Sequence, residues 1–244
     1  MSGCRHVYET ARLALRLAAP SFAAALSEYY RRNRAFFSAF DPQREDAFFT
    51  EAEQRILLER DVELAREDRG YRFYLCLRGE PERLIGMVGL SNLVRGAFQS
   101  CHMGYKLDGE LLCQGYMTEA VEAAAGIAFE DLGLHRIEAN IMPKNRASLR
   151  VAEKAGFYHE GLAVKYLKIN GVWEDHIHMV LRSEQWHKET PLPEQAPTTS
   201  PCCARALTNQ CLRLCRRHCY IRYGLETAVL PGSGDCKARS GLLY

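Results

Sequence analysis

A mixed α/β fold is what this sequence predicts, and three observations carry the prediction. The stretch from His135 to Phe157, HRIEANIMPKNRASLRVAEKAGF, passes from strand to turn to capped helix. A long run rich in Ala and Glu, Thr118 to Leu132, stands just behind Gly115 and reads as a helix. Asn170-Gly171 separates two strand-like runs, and both residues tolerate the positive φ that a tight hairpin needs.

Each element has its own reason. Tyr8 to Leu17 alternates well enough for a first strand. Pro20 suits the first turn of a helix that continues through Ser21 to Leu26 and Tyr29-Tyr30. A second helix is expected over about Phe48 to Asp68, with Ile56, Leu57, Val62 and Leu64 among its apolar positions. Tyr71 to Leu77, Leu84 to Leu93 and Ser100 to Leu107 read as three strands, ahead of the Thr118 to Leu132 helix. Arg136-Ile137-Glu138-Ala139 alternates polar and apolar side chains, as a half-buried strand does. Pro143 ends it, because proline has no N–H for a ladder. Asn145 is a preferred cap for the next helix, and Gly156 closes that helix. Tyr166 to Ile169 and Val172 to Leu181 form the final hairpin, and no internal repeat is visible.

Composition narrows the function classes. The 244 residues are 47% hydrophobic and 25% charged, with a formal net charge of +2. That is ordinary globular composition, and the balance does not ask for DNA, a membrane surface or a polyanion. The longest apolar stretch, Leu13 to Leu26, is broken by Arg16 and Pro20 and lacks a basic flank with a cleavage motif. Neither a signal peptide nor a membrane span is predicted, and the expected location is cytoplasmic.

Cys4, Cys76, Cys101 and Cys113 are scattered, as small buried hydrophobes are in a cytosolic chain. Six more cysteines crowd the end of the chain, after a linker-like stretch marked by Pro191, Pro193, Pro197 and Pro201. From Lys188 to Tyr244 there are eight Lys/Arg against four Asp/Glu, so this segment carries +4 and residues 1–187 carry −2. The domain boundary is therefore expected at 187/188, with 188–244 a poorly ordered basic tail too small for a core of its own. Cys211, Cys215 and Cys219, with His218, recur every four residues, but this is not a usual zinc spacing, and no metal is expected.

One local feature suggests chemistry. Gln114-Gly115-Tyr116-Met117-Thr118 runs from a loop into a helix, where Gly115 lets the backbone pass close to a ligand. The first-turn amides of a helix are unpaired and can receive a pyrophosphate. A glycine before a helix is also an ordinary turn, so this signal alone does not assign a function.

The ordered series of motifs over about residues 7–187 resembles the GNAT acyltransferase superfamily, and within it the RimJ/RimL branch of ribosomal-protein-alanine N-acetyltransferases. Glu9-Thr10-Ala11-Arg12-Leu13-Ala14-Leu15-Arg16 is similar to that branch's first strand. Ile85-Gly86-Met87-Val88-Gly89-Leu90 is similar to its central hairpin, and Met103-Gly104-Tyr105-Lys106-Leu107 to the strand before its cofactor loop. His135-Arg136-Ile137-Glu138-Ala139-Asn140 and Asn145-Arg146-Ala147-Ser148 are the most specific matches. Glu160-Gly161 and Asn170-Gly171-Val172-Trp173-Glu174-Asp175-His176 continue the resemblance.

The resemblance implies a central twisted mixed sheet of about six to seven strands, flanked by helices, with two middle strands splayed apart. It implies acetyl-CoA as co-substrate and a primary amine as acceptor, most of all the N-terminal α-amine of a protein such as a ribosomal protein. Backbone amides around Met103 and Tyr105 would hold the thioester. Gln114, Gly115, Tyr116, Met117 and Thr118 would hold the pyrophosphate, and Asn145 and Ser148 the pantetheine end. The family has Gly where Cys113 stands and a polar residue where Leu112 stands. The Cys113 side chain is expected either to weaken CoA binding or to be accepted by the loop because it sits at negative φ. A small-molecule amine acetyltransferase and a non-catalytic CoA-binding regulatory domain are the alternatives, and the oligomeric state is open.

Two catalytic roles are expected. Glu138 is the candidate base, acting through water, against a plain reading as a strand carboxylate paired with Arg136 or Arg150. Ser148 is the candidate acid for the thiolate, against a role in starting the helix. The tyrosine that many relatives place on the helix after Asn145 corresponds to Ala152, so that route is absent. Tyr105 reads as a core aromatic. Tyr166, Trp173 and His176 line the acceptor side or simply pack the hairpin. Attack is expected to be direct, with no acyl-enzyme, because no cysteine has a convincing histidine partner. His102 reads as a single strand histidine rather than a metal ligand.

Overall fold

Alternating buried and exposed side chains assemble eight strands into one mixed sheet, in the order β1-β2-β3-β4-β5-β6-β8-β7. The strands are β1 (Val7–Glu9), β2 (Leu13–Leu17), β3 (Tyr71–Leu77), β4 (Glu80–Val94), β5 (Ser100–Leu107), β6 (Arg136–Ile141), β7 (Tyr158–Ile169) and β8 (Val172–Arg182). The helices are α1 (Ala23–Arg32), α2 (Arg34–Phe37), α3 (Glu51–Arg66), α4 (Tyr116–Gly126), α5 (Arg146–Lys154) and α6 (Ser183–Trp186). The structure is a computed structural model and describes residues 4–38 and 41–186, all within one unit. The tail from Lys188, with its cysteines and its expected lack of order, lies outside the described residues.

The sheet has a core on each face. Period-2 alternation sends Phe73 and Leu75 of β3 to one face and Tyr74 and Cys76 to the other. On the first face, Ile85, Val88, Cys101, Met103, Ile137 and Ala139 pack against Ala120, Val121 and Ala124 of α4 and Ala152 of α5. On the second face, Leu26, Tyr29 and Tyr30 of α1 and Leu58 of α3 cover Tyr74, Cys76, Leu84 and Met87. Small alanines line the α4 contact with the sheet, while aromatics fill the core under α1. Asp61 is buried on α3, where Arg72 meets it at 3.0 Å; burial raises its carboxyl against that pairing.

Several boundaries differ from expectation. The first strand is a hairpin, because Thr10 N–H donates to the Leu13 carbonyl at 2.9 Å and turns the chain back on itself. The second helix divides at Thr50, whose hydroxyl caps Glu53 N–H; a 3-10 turn, Asp46–Phe49, precedes it. The fourth helix begins two residues before Thr118, and its end is a π-turn, Ile127–Asp131. β7 begins at Tyr158 rather than Tyr166, and its register against β8 shifts twice, so its pattern does not alternate cleanly. The sheet therefore has eight strands rather than six or seven. Ser100–Leu107 has the expected bounds.

Candidate active site

The sheet opens between its two central parallel strands. β5 and β6 pair at only three positions, the last being His102 with Glu138. Met103 to Leu107 continue on β5 and Ala139 to Ile141 on β6 without pairing to one another. Gly104 lies in this stretch. It is exposed although it is mid-strand in a central strand, and a Cβ there would meet nothing within 4 Å. The expected splay is thus present, with room along β5.

The start of α4 lies a short loop beyond the end of β5, along which the slot opens. Gly115 adopts φ 81° and caps the helix without a side chain. The first helical hydrogen bond runs from Glu119 N–H to the Gly115 carbonyl at 3.1 Å. The amides of Tyr116, Met117 and Thr118 precede it, and α4's dipole favours an anion there. Gln114 is exposed, Met117 is buried and contributes through its backbone, and Thr118 is half-buried. Cys113 is exposed at φ 61°, so it does not have the negative φ that would make it equivalent to any residue, nor the burial expected of a scattered cysteine. Cys76 and Cys101 do have that burial, which pushes the Cys101 thiol up to about 12.

Arg12 ties this loop to the sheet, and sequence reasoning missed it. Its Nε is 2.6 Å from Glu119 Oε2, its Nη1 donates to the Gln114 carbonyl at 2.9 Å, and its guanidinium lies 4.5 Å from the Tyr116 ring centre. Its own N–H and the Thr10 hydroxyl bind the other Glu119 oxygen at 2.9 and 2.6 Å. Burial would raise Glu119, but Thr10 and Arg12 hold it below the ordinary carboxylate range. The only available signal was the unrecognised turn between β1 and β2.

The inner wall is shared by β5 and α5. Asn145 Oδ1 accepts Ser148 N–H at 3.2 Å, so Asn145 is the cap that the sequence predicts. The Ser148 hydroxyl has no partner among the described residues and does not cap the helix. The Tyr105 hydroxyl donates to the Ser148 carbonyl at 2.8 Å and spans the slot. Tyr105 is partly buried against the main core, and burial keeps its hydroxyl protonated, consistent with a core aromatic. The Met103 side chain is buried, which leaves its backbone as the group available to a ligand.

The opposite face of β6 is polar. Glu138 Oε2 accepts from Arg136 at 2.7 Å, and Arg136 also reaches Glu160 at 2.6 Å. Burial would raise the Glu138 carboxyl; the Arg136 hydrogen bond, the Asn140 amide and two imidazoles outweigh it and hold the group low. Those imidazoles are His178, with Nδ1 3.2 Å from Glu138 Oε1, and His102, with Nε2 3.7 Å away. Glu138 therefore makes the Arg136 pair of the plain reading, and it also stands at the mouth of the slot. Arg150 instead reaches Glu153.

Asn140 and His178 face each other across the β6–β8 ladder. Asn140 Oδ1 and His178 Nε2 are buried without a hydrogen-bond partner among the described residues. An unpaired buried polar atom costs about 1–3 kcal/mol, so such atoms call for an explanation. Tyr166 packs its ring against His178 and His176, with centres 4.9 and 5.6 Å apart. Trp173 is more than half exposed and lines a separate hollow of about 280 Å³ with Pro143 and Lys144. Asn170, at the tip of the last hairpin, accepts Gln43 N–H at 2.8 Å and so fixes the loop after α2 near this face. Among the described residues no His, Cys, Asp or Glu cluster is arranged to hold a metal ion, and no helix is long and apolar enough to cross a membrane.

Comparison with known proteins identifies the family and the fold. Residues 12–158 match the family described as acetyltransferase (GNAT) domain. The chain is 46% identical over 144 residues to the probable N-acetyltransferase YjcK of Bacillus subtilis, covering 59% of this chain and 79% of that one. It is 34% identical over 177 residues to the [ribosomal protein uS5]-alanine N-acetyltransferase of Escherichia coli, covering 72% and 91%. The structure of Mycobacterium smegmatis RimJ in complex with CoA-disulfide superposes with a TM-score of 0.67 at 27% identity, over 71% of this chain and 83% of that one.

Proposed function

The chain belongs to the GNAT acetyltransferase family, and from that premise we propose that it moves the acetyl group of acetyl-CoA to the N-terminal α-amine of a protein such as a ribosomal protein. The observation that carries the reading is the opening between β5 and β6, with the glycine-capped start of α4 a short loop beyond the end of β5. An extended thioester would lie along Met103 and Tyr105, with its pyrophosphate on the amides from Gln114 to Thr118. Its pantetheine arm would pass Asn145 and Ser148. Main-chain donors beside the thioester carbonyl would stabilise the oxyanion as it forms, and positioning supplies much of the remaining rate. Ser148, with its unpaired hydroxyl, would deliver a proton to the departing thiolate.

The relative that acts on a ribosomal-protein alanine supports a protein N-terminus as acceptor. The −2 charge of residues 1–187 favours a cationic acceptor over an anionic one.

The test is free-CoA release from acetyl-CoA with a peptide beginning in Ala. The control is the same peptide with its N-terminus blocked and an internal Lys present. Turnover only with the free α-amine is expected. Turnover with neither peptide, but with a polyamine or another small amine, would replace the acceptor assigned here. Acetyl-CoA binding with no turnover on any amine would favour a CoA-binding regulatory domain, and no binding at all would implicate Cys113.

A further inference from the structure

Two buried, unpaired polar atoms lie on neighbouring strands at the mouth of the slot. They are Asn140 Oδ1 on β6 and His178 Nε2 on β8, and their residues are directly opposed in the ladder. Asn140 lies two residues beyond the last β5–β6 pair, where the strands have separated. The other His178 nitrogen is occupied, since Nδ1 is 3.2 Å from Glu138 Oε1. Glu138 is in turn fixed by Arg136, and Arg136 by Glu160. The Tyr166 ring meets the imidazole edge to face.

We propose that His178 takes the proton from the acceptor ammonium, with Glu138 orienting the imidazole and Asn140 Oδ1 receiving an N–H of the same amine. The assignment rests on the acetyltransferase reading above and moves the base from Glu138 to its neighbour. Glu138 is committed to Arg136, and a proton on it would weaken that pair. An imidazole with Nδ1–H directed at a carboxylate presents a lone pair at Nε2, the atom left unpaired here. His102 is the rival base, but both its nitrogens have neighbours: Asn92 Nδ2 at 3.1 Å and Glu138 at 3.7 Å.

The step balances. An N–H bond of the ammonium breaks and its proton passes to His178 Nε2, leaving the electron pair on nitrogen. That pair forms the C–N bond to the thioester carbonyl carbon, and the C–S bond breaks with its pair going to sulfur. The thiolate takes a second proton from the acylated nitrogen through the Ser148 hydroxyl. The imidazolium then releases its proton to water, so ammonium and thioester become amide, thiol and one proton.

The charged and titratable groups around His178 are Glu138 and Arg136 from β6, Tyr166 and Glu160 from β7, His102 from β5 and His176 on its own strand. The test is acetyl transfer by the full chain to the Ala-starting peptide across pH, for wild type, His178→Gln and His102→Gln. Removal of a general base costs on the order of 10²-fold in rate. His178→Gln is expected to lower kcat about that much, with the acetyl-CoA KM unchanged and the acid limb of kcat/KM shallower by one proton. Added imidazole should restore part of the rate to His178→Ala. His102→Gln should stay within about threefold of wild type.

Near-normal activity in His178→Gln overturns the assignment, as does a large loss in His102→Gln instead. A kcat loss with an unchanged pH profile and no imidazole rescue also overturns it, because a purely structural role would look like that. If His178→Gln fails to bind acetyl-CoA, His178→Asn takes its place in the comparison. No turnover by wild type on any amine defeats the acetyltransferase reading itself, whereas wild-type turnover beside an active His178→Gln defeats only this inference.

Discussion

At the α4 end of the slot the groups available to a ligand belong to the main chain, whereas at the β6–β8 end they belong to side chains from several strands. The first end consists of a left-handed glycine, a short loop and three helix amides, with Arg12 bracing them from outside. The second end consists of Glu138, Asn140 and His178, brought together only by strand register. A main-chain site depends on local conformation and tolerates many side chains. A side-chain site depends on pairing between distant segments, and a one-residue slip would turn every member to the other face. In an enzyme with one donor and many possible acceptors, the constant partner would meet the backbone and the variable partner the side chains.

The comparison breaks most visibly at Arg136, which holds the side-chain end together. Glu138 and Glu160 both have lowered pKa values, because Arg136 favours their charged forms; at Glu138 this opposes burial. A carboxyl lowered in the folded state lends stability that is complete above its unfolded value, about 4.3 for Glu, and lost as pH falls through the folded value. Arg136→Met should therefore cost roughly 1.5–3 kcal/mol at pH 7, the range for a lost hydrogen bond to a charged group. The cost should shrink as the pH drops below about 4. Urea unfolding of both proteins at pH 7 and pH 3 measures this, and an equal loss at both would mean that the charges are not the source. Acetyl-CoA affinity should be nearly unchanged, since the main-chain end is untouched.

Gly115→Val applies the opposite test. At φ 81° an L side chain is strained by about 1–2 kcal/mol, and the added Cβ would stand 3.4 Å from Arg12 Nη2. Relieving that strain requires moving the loop that aims the α4 amides. Acetyl-CoA should bind on the order of tenfold more weakly, which is 1.4 kcal/mol. The acceptor KM should stay within about twofold. Isothermal titration with acetyl-CoA, together with steady-state kinetics, would show the separation; equal changes in both would mean that the two ends are not independent.

The same contrast explains what was legible in the sequence. Gly115 before an apolar helix, Asn145 before Arg146-Ala147-Ser148, and Asn170-Gly171 between strands are local signals with local causes. The structure places a helix start, a cap and a turn at those positions. Ser100 to Leu107 was visible because its alternation is clean. Glu138 beside Arg136 could be read from one strand, but Asn140 opposite His178 could not, because no spacing encodes the β6–β8 register. Arg12 was hidden because Thr10-Ala11-Arg12 contains neither Gly nor Pro, so the turn between two short strands read as a continuation. The start of β7 was hidden by its register shifts and by a positive φ at Lys165.

Cys113 offers the smallest and sharpest change to the main-chain end. Its φ of 61° lies where a residue with a Cβ is strained, and its side chain is exposed, so removing the side chain leaves no cavity. Cys113→Gly should relieve about 1 kcal/mol of strain. Part of that gain is lost because glycine adds conformational freedom to the unfolded chain. The melting temperature should therefore rise by no more than about 2–4 °C, the shift about 1 kcal/mol produces at this size. If the strain also holds the loop away from its best geometry, acetyl-CoA should bind a few-fold tighter. A rise in melting temperature without a gain in affinity would mean that the loop already has its binding conformation and merely tolerates the strain. A fall in both would mean that the Cys113 side chain itself helps to hold the ligand.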